Sequence, residues 1–153
     1  MEDVHQSSSS YAHYSKRFEK LRLEALCMSS HSDLFEQLVI ELYVRDFKAS
    51  CAFYLAFGFR MIRDEGDFAE LQWEDAFLFL EAIPNAPSPP SFPVGNIRIL
   101  VPNVDDYWTL SQQMGVQVIR PIENRSYGLR DFTIAGPDGL GLRFATRLSN
   151  NDS

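Results

Sequence analysis

From Gln37 to Val44 the chain alternates, with Leu38, Ile40, Leu42 and Val44 on one side and Val39, Glu41 and Tyr43 on the other. Period two is the pattern of a half-buried strand. At Asp46 the pattern changes to one in which Asp46 caps a helix through Phe47, Cys51, Tyr54 and Leu55, ended by Gly58. Three strands are predicted next, Phe59 to Arg63, Phe68 to Trp73 and Phe77 to Ala82, with Glu65-Gly66 and Glu74-Asp75 as turns. The order then returns. Asn96 to Val101 alternates, Asn103 caps a helix carrying Val104, Tyr107, Trp108, Leu110 and Met114, Gly115 ends it, and Val116 to Arg120 is a strand. A hairpin closes the pattern: Asp131 to Ala135 and Leu140 to Phe144, joined by Gly136-Pro137-Asp138-Gly139.

The recurrence has a constant spacing. Val44 and Val101, Asp46 and Asn103, Gly58 and Gly115, and Ile62 and Ile119 are each 57 apart (101 − 44 = 57, and likewise for the others). In the last hairpin Asp75-Ala76-Phe77 matches Asp138-Gly139-Leu140 at 63 (138 − 75). Two βαβββ copies in tandem, an α+β architecture, account for this. Module one is expected over 36–82 and module two over 95–148, separated by a linker, 83–94, that holds five of the eight prolines. Residues 1–35 read as a tail with a Ser7 to Ser10 run and one short amphipathic helix around Phe18, Leu21, Leu23, Leu26 and Met28. That tail is expected to be dispensable for folding, with Met28 a usable start.

Each helix needs an apolar sheet face to pack on, which assigns Leu38, Ile40, Leu42, Ile97, Ile99, Val101, Phe132, Ile134, Leu140, Leu142 and Phe144 to the core. The opposite face then carries Val39, Glu41, Tyr43, Phe68, Glu70, Gln72, Leu78, Leu80, Asn96, Arg98, Leu100, Tyr127, Asp131, Thr133 and Arg143. Aromatic rings beside both signs of charge suit a small-molecule site.

Composition narrows the partners. The 153 residues are 45% hydrophobic and 13% aromatic, enough for one domain with a core. A net charge of −7 disfavours nucleic acid and anionic membranes and favours cationic ligands. The two cysteines, Cys27 and Cys51, make no disulfide framework, the acidic start is followed by no apolar leader segment, and no apolar run is long enough to span a bilayer. A soluble, cytoplasmic protein is expected.

The line RDFTIAGPDGLGLRF, from Arg130 to Phe144, resembles the closing motif of the vicinal oxygen chelate superfamily of glyoxalases, extradiol dioxygenases and bleomycin-resistance proteins. Tyr127-Gly128 just before Arg130-Asp131-Phe132 is most similar to the bleomycin-resistance branch, and the resemblance spans Leu38 to Thr146. It implies two modules whose sheets curve around a cleft, and metal-free homodimers that sequester a cationic antibiotic in grooves at the dimer interface. It further implies that the ligand stacks on Phe68, in Asp67-Phe68-Ala69, and on Tyr127. Two departures stand out: Tyr127 replaces a usual Trp, and Leu140 follows Asp138-Gly139 where Asn is usual.

Metal enzymes of that superfamily bind their ion through four positions that correspond here to Val39, Leu80, Asn96 and Arg143. Val and Leu have no donor, a guanidinium repels a cation, and Asn96 alone does not chelate. No histidine follows His31, so neither a His-containing metal site nor a Ser–His pair can form in the domain. No metal, cofactor or catalytic residue is assigned. The expected ligand-binding set is Phe68, Tyr127, Glu41, Glu70, Arg98, Asp131 and Arg143, with an ion pair between Glu41 and Arg98 as the structural alternative. The leading reading is a non-catalytic, dimeric binder of a cationic aromatic, bleomycin-like molecule. The alternatives are a metal-free lyase or isomerase using Glu41 or Glu70 as base, and a module binding a partner through an exposed Phe53 and Phe57.

Overall fold

A computed structural model describes residues 38–149. The tail helix, the three histidines and Cys27 lie outside the described residues. Strand β1 is Ile40–Val44, helix α1 Phe47–Ala56, and strands β2 to β4 are Arg60–Asp64, Phe68–Trp73 and Ala76–Ala82. The second series is β5 Gly95–Leu100, α2 Val104–Met114, β6 Val118–Arg125, β7 Leu129–Ala135 and β8 Leu140–Arg147. Two four-stranded mixed sheets result, ordered β1-β4-β3-β2 and β5-β8-β7-β6. β1 lies parallel to β4 and β5 parallel to β8, while the other neighbours are antiparallel. The tandem βαβββ architecture is therefore as the repeat predicts. Among the described residues no helix is long and apolar enough to cross a membrane.

Local chemistry sets the helix ends. The Asp46 carboxylate accepts from the Ala49 amide at 3.0 Å, and Asn103 accepts from Asp105 at 3.2 Å. Gly115 closes α2 at φ 64°, where a side chain would be strained. Gly136 is required for a different reason: its amide donates to the Leu140 carbonyl at 2.8 Å, and a Cβ there would lie 2.5 Å from that oxygen.

The two series share one core. Phe144 stacks on Tyr107 at 4.6 Å and on Phe57 at 5.5 Å, and also meets Trp73 and Phe132. Phe57 and Trp73 belong to the first module and Phe144, Tyr107 and Phe132 to the second, so the helix-bearing sides of the two sheets pack together. This overturns the expectation of an exposed Phe53 and Phe57: Phe57 is fully buried and Phe53 packs on the core.

Four assignments of face also change. Leu38 is 91% exposed and precedes β1, and Ile40 at the strand's start is half exposed. Leu78 and Leu80, expected opposite the core, are buried in it. The cause is a register difference: Leu71 pairs with Leu78 and Ile134 with Leu142, so the repeat is 63 from β3 to β7 (134 − 71) but 64 from β4 to β8 (142 − 78). The second hairpin is one residue longer, and a slip of one residue turns every side chain of a strand over. Phe77, Phe79 and Glu81 take the places given to Leu78 and Leu80.

Candidate functional site

The strand faces turned away from the helices carry the chemistry. On the first, β4 presents Phe77, Phe79 and Glu81, in register with Gln72, Glu70 and Phe68 of β3. Phe68 meets Phe79 edge to face at 5.5 Å, and Phe79 meets Phe77 at 6.5 Å. The Arg63 guanidinium lies 5.2 Å from the Phe68 ring centre and forms a 2.6 Å ion pair with Glu70. Glu41 sits beside Phe79 and Tyr43 beside Glu81. A hydrogen bond with Glu41, followed by partial burial and the charges of Glu41 and Asp67, raises the Glu81 carboxyl above the usual range. The result is an aromatic surface edged by carboxylates.

The second face is built around Asp131, which is 0% exposed. Arg125 Nε donates to its Oδ1 at 2.7 Å, while Tyr127 Oη at 2.9 Å and Arg143 Nη2 at 2.5 Å donate to Oδ2. Arg143 also donates to the Tyr127 hydroxyl, and its guanidinium lies 5.9 Å from the ring centre. Burial pushes the Asp131 pKa up, but the hydrogen bonds from Arg125, Arg143 and Tyr127 outweigh it and hold the carboxyl below the usual range. These contacts fix the tyrosine ring, which is 56% exposed, with Gly128 at φ 81° permitting the tight turn behind it.

The seven expected residues thus fall into two groups, one per module. Tyr127, Asp131 and Arg143 form one network, and Arg98 stands beside Arg143 in the sheet. Phe68, Glu41 and Glu70 lie on the first face and do not contact them. The expected ion pair between Glu41 and Arg98 is absent among the described residues, and Glu41 instead acts on Glu81, whose pKa it raises. Asp131 is saturated by its own partners and so is not free to meet a cationic ligand. Arg125, Phe79 and Glu81 escape the sequence reading; strict alternation from Leu80 in its true register would have found the last two.

The corrected register changes one of the four positions that correspond to the superfamily's metal ligands. Arg143 is opposite Arg98, and its counterpart in the first module, opposite Glu41, is Phe79 (143 − 79 = 64). Neither Phe79 nor Leu80 offers a donor, and no three His, Cys, Asp or Glu side chains come together among the described residues. The donor set does not fit a chelated ion.

The duplicated βαβββ scaffold carries an aromatic, charge-lined face on each half. Residues 36–144 match the Glyoxalase/Bleomycin resistance protein/Dioxygenase superfamily, and the chain belongs to it. A glyoxalase/bleomycin resistance protein/dioxygenase from Nocardioides is similar over 87% of this chain and 95% of its own, with TM-score 0.62 and 16% identity. The bleomycin resistance determinant encoded on transposon Tn5 is 22% identical, over 72% of this chain and 97% of its own, with TM-score 0.58. A bleomycin-binding protein solved with bleomycin is 22% identical over 72% and 98%, with TM-score 0.55. No curated protein matches the sequence.

Proposed function

We propose that the protein is a non-catalytic, cytoplasmic binding protein that sequesters a small molecule with a planar aromatic part and a cationic end. The carrying observation is the first-module face, where Phe68, Phe77 and Phe79 lie in ring contact beside Glu41 and Glu81. Ring faces take a flat ligand and the carboxylates its charge, each stacked pair adding about 0.5–1.5 kcal/mol beyond area burial. Likeness to a bleomycin-binding protein supports the same class of ligand.

A homodimer completes the groove in this reading. The ring contacts that cross between modules are made by helix-side residues, and the first-module strand face is left open at Tyr43, which is 64% exposed. Setting the first-module face of one copy against the second-module face of another brings Phe68 and Tyr127 to opposite walls. Calorimetric titration with bleomycin is the test: binding tighter than millimolar, weakened by Phe68→Ala and by Tyr127→Ala, is expected. Binding no tighter than millimolar, or variants that bind as well as the wild type, would sink the reading.

One observation favours the enzymatic alternative. Glu70 is held by Arg63, but Glu81 lies on an aromatic face with its pKa raised by the neighbouring Glu41. A bond-breaking role requires product formation that Glu81→Gln abolishes.

A further inference from the structure

We infer that the second module carries a receptor for an anionic group on an aromatic or apolar body, built by Arg98, Arg147 and Tyr127. This goes beyond the reading above in the charge of its ligand and in needing one chain only, although it shares Tyr127 with the groove proposed there. A cavity of about 450 Å³ opens on that face, lined by Arg98, Leu100, Tyr127, Gly128, Leu129 and Arg147. The register explains the grouping: Arg98 faces Arg143, Leu100 faces Ala145, and Leu129 faces Arg147, all on the same side of the sheet.

The charge balance is specific. Arg125 and Arg143 are occupied by Asp131, with Glu123 also paired to Arg125. Arg98 and Arg147 are both exposed and have neither an ion pair nor a side-chain hydrogen bond among the described residues. Two guanidinium groups without a counter-charge among the described residues therefore stand in an acidic protein, at the rim of a hollow whose remaining lining is apolar or aromatic. Guanidinium groups bind carboxylates through paired, charge-assisted hydrogen bonds. Tyr127 lines the same hollow; its ring is held by its hydroxyl contacts and by Arg143 at 5.9 Å while the residue stays 56% exposed, so a flat ligand can stack there without ordering the side chain first. The larger hollow, about 540 Å³ between the modules, is also lined by Arg98, but there the arginine shares the wall with Glu74 and Asp75, which oppose an anion, and with Ile40, Phe59 and Trp73.

The test compares naphthalene-1-carboxylate with the neutral, isosteric naphthalene-1-carboxamide by calorimetric titration of the full chain. The carboxylate is expected to bind at least about tenfold more tightly, with the preference shrinking as salt rises. The double variant Arg98→Gln/Arg147→Gln should abolish the preference, and Arg98→Lys/Arg147→Lys should keep part of it. Equal binding of the two probes, no binding of either, or a preference that survives in the Gln variant overturns the assignment. So does a second copy of the chain occupying the cavity, seen as carboxylate affinity that appears only when the dimer dissociates. The wild-type comparison needs no substitution, and a failure of bleomycin binding leaves the inference standing.

Discussion

Arg143 in β8 reaches across to Asp131 in β7, Nη2 to Oδ2 at 2.5 Å, and the same guanidinium also donates to the Tyr127 hydroxyl. One buried carboxylate thus aligns a nearly covered cation and a half-exposed aromatic ring on the same strand face. Removing the carboxylate leaves two arginines, nearly covered, without their counter-charge, and breaking a buried pair in this way costs about 3–5 kcal/mol. Asp131→Asn keeps the shape and should fall at the low end, about 3 kcal/mol, measured by urea unfolding at pH 7. The sign of its pH dependence follows from the lowered pKa. The stabilisation is complete above the unfolded value, near ~3.9, and is lost as pH falls through the folded value. The gap between wild type and variant should therefore hold from pH 7 to about 4 and close below it.

Asp138 behaves in the opposite sense. Ser50 Oγ donates to its Oδ1 at 3.0 Å, but its Oδ2 and the hydroxyl of Tyr54 are buried without a partner among the described residues. Burial, with the charge of Asp46 added, raises the Asp138 pKa against the effect of the Ser50 hydrogen bond. A raised carboxyl favours the fold when protonated, so its contribution is most favourable below about pH 3.9 and is lost as pH rises through the folded value. Asp138→Asn retains an acceptor for Ser50 and removes the buried charge. It should raise stability at pH 7 by about 1 kcal/mol, a gain that vanishes near pH 4 in thermal melts.

Much of the fold was legible because its signals are local. Asp46 and Asn103 announce their helices through a side chain bonded two or three residues on, and alternation marks the strands wherever one face is buried. What was not legible depended on length and on distance. Matching the turn at Asp75 to the turn at Asp138 hides the extra residue in the second hairpin, and that residue alone moved Leu80 into the core and Phe79 out of it. In the site, Tyr127 and Asp131 were found by motif and alternation. Arg125, which reaches Asp131 back across the β6–β7 turn, carries no periodic signature, so the saturation of Asp131 was invisible.

That register makes a contrast between neighbours. Leu80→Ala empties a fully buried site and should lower stability by about 2–5 kcal/mol. Phe79→Ala removes a half-buried ring beside Phe68 and should cost less while weakening ligand binding. Chemical denaturation of the two variants decides: if Phe79→Ala proves the more destabilising, the strand faces are assigned the wrong way round.

The last prediction concerns how the modules are held together. Phe144 is 0% exposed and touches rings from both modules, stacking on Tyr107 of its own and on Phe57 of the other. Truncation to Ala should cost about 3–5 kcal/mol, since the cavity cannot collapse without moving both sheets. Tyr107→Ala, which touches Trp73 as well as Phe144, opens the same seam from the helix side. Because the two residues share neighbours, the double variant should lose less than the sum of the single losses. A double-mutant cycle by urea denaturation measures this. Strict additivity would mean that the modules are joined elsewhere, and that the aromatic seam is a consequence of their packing and not its cause.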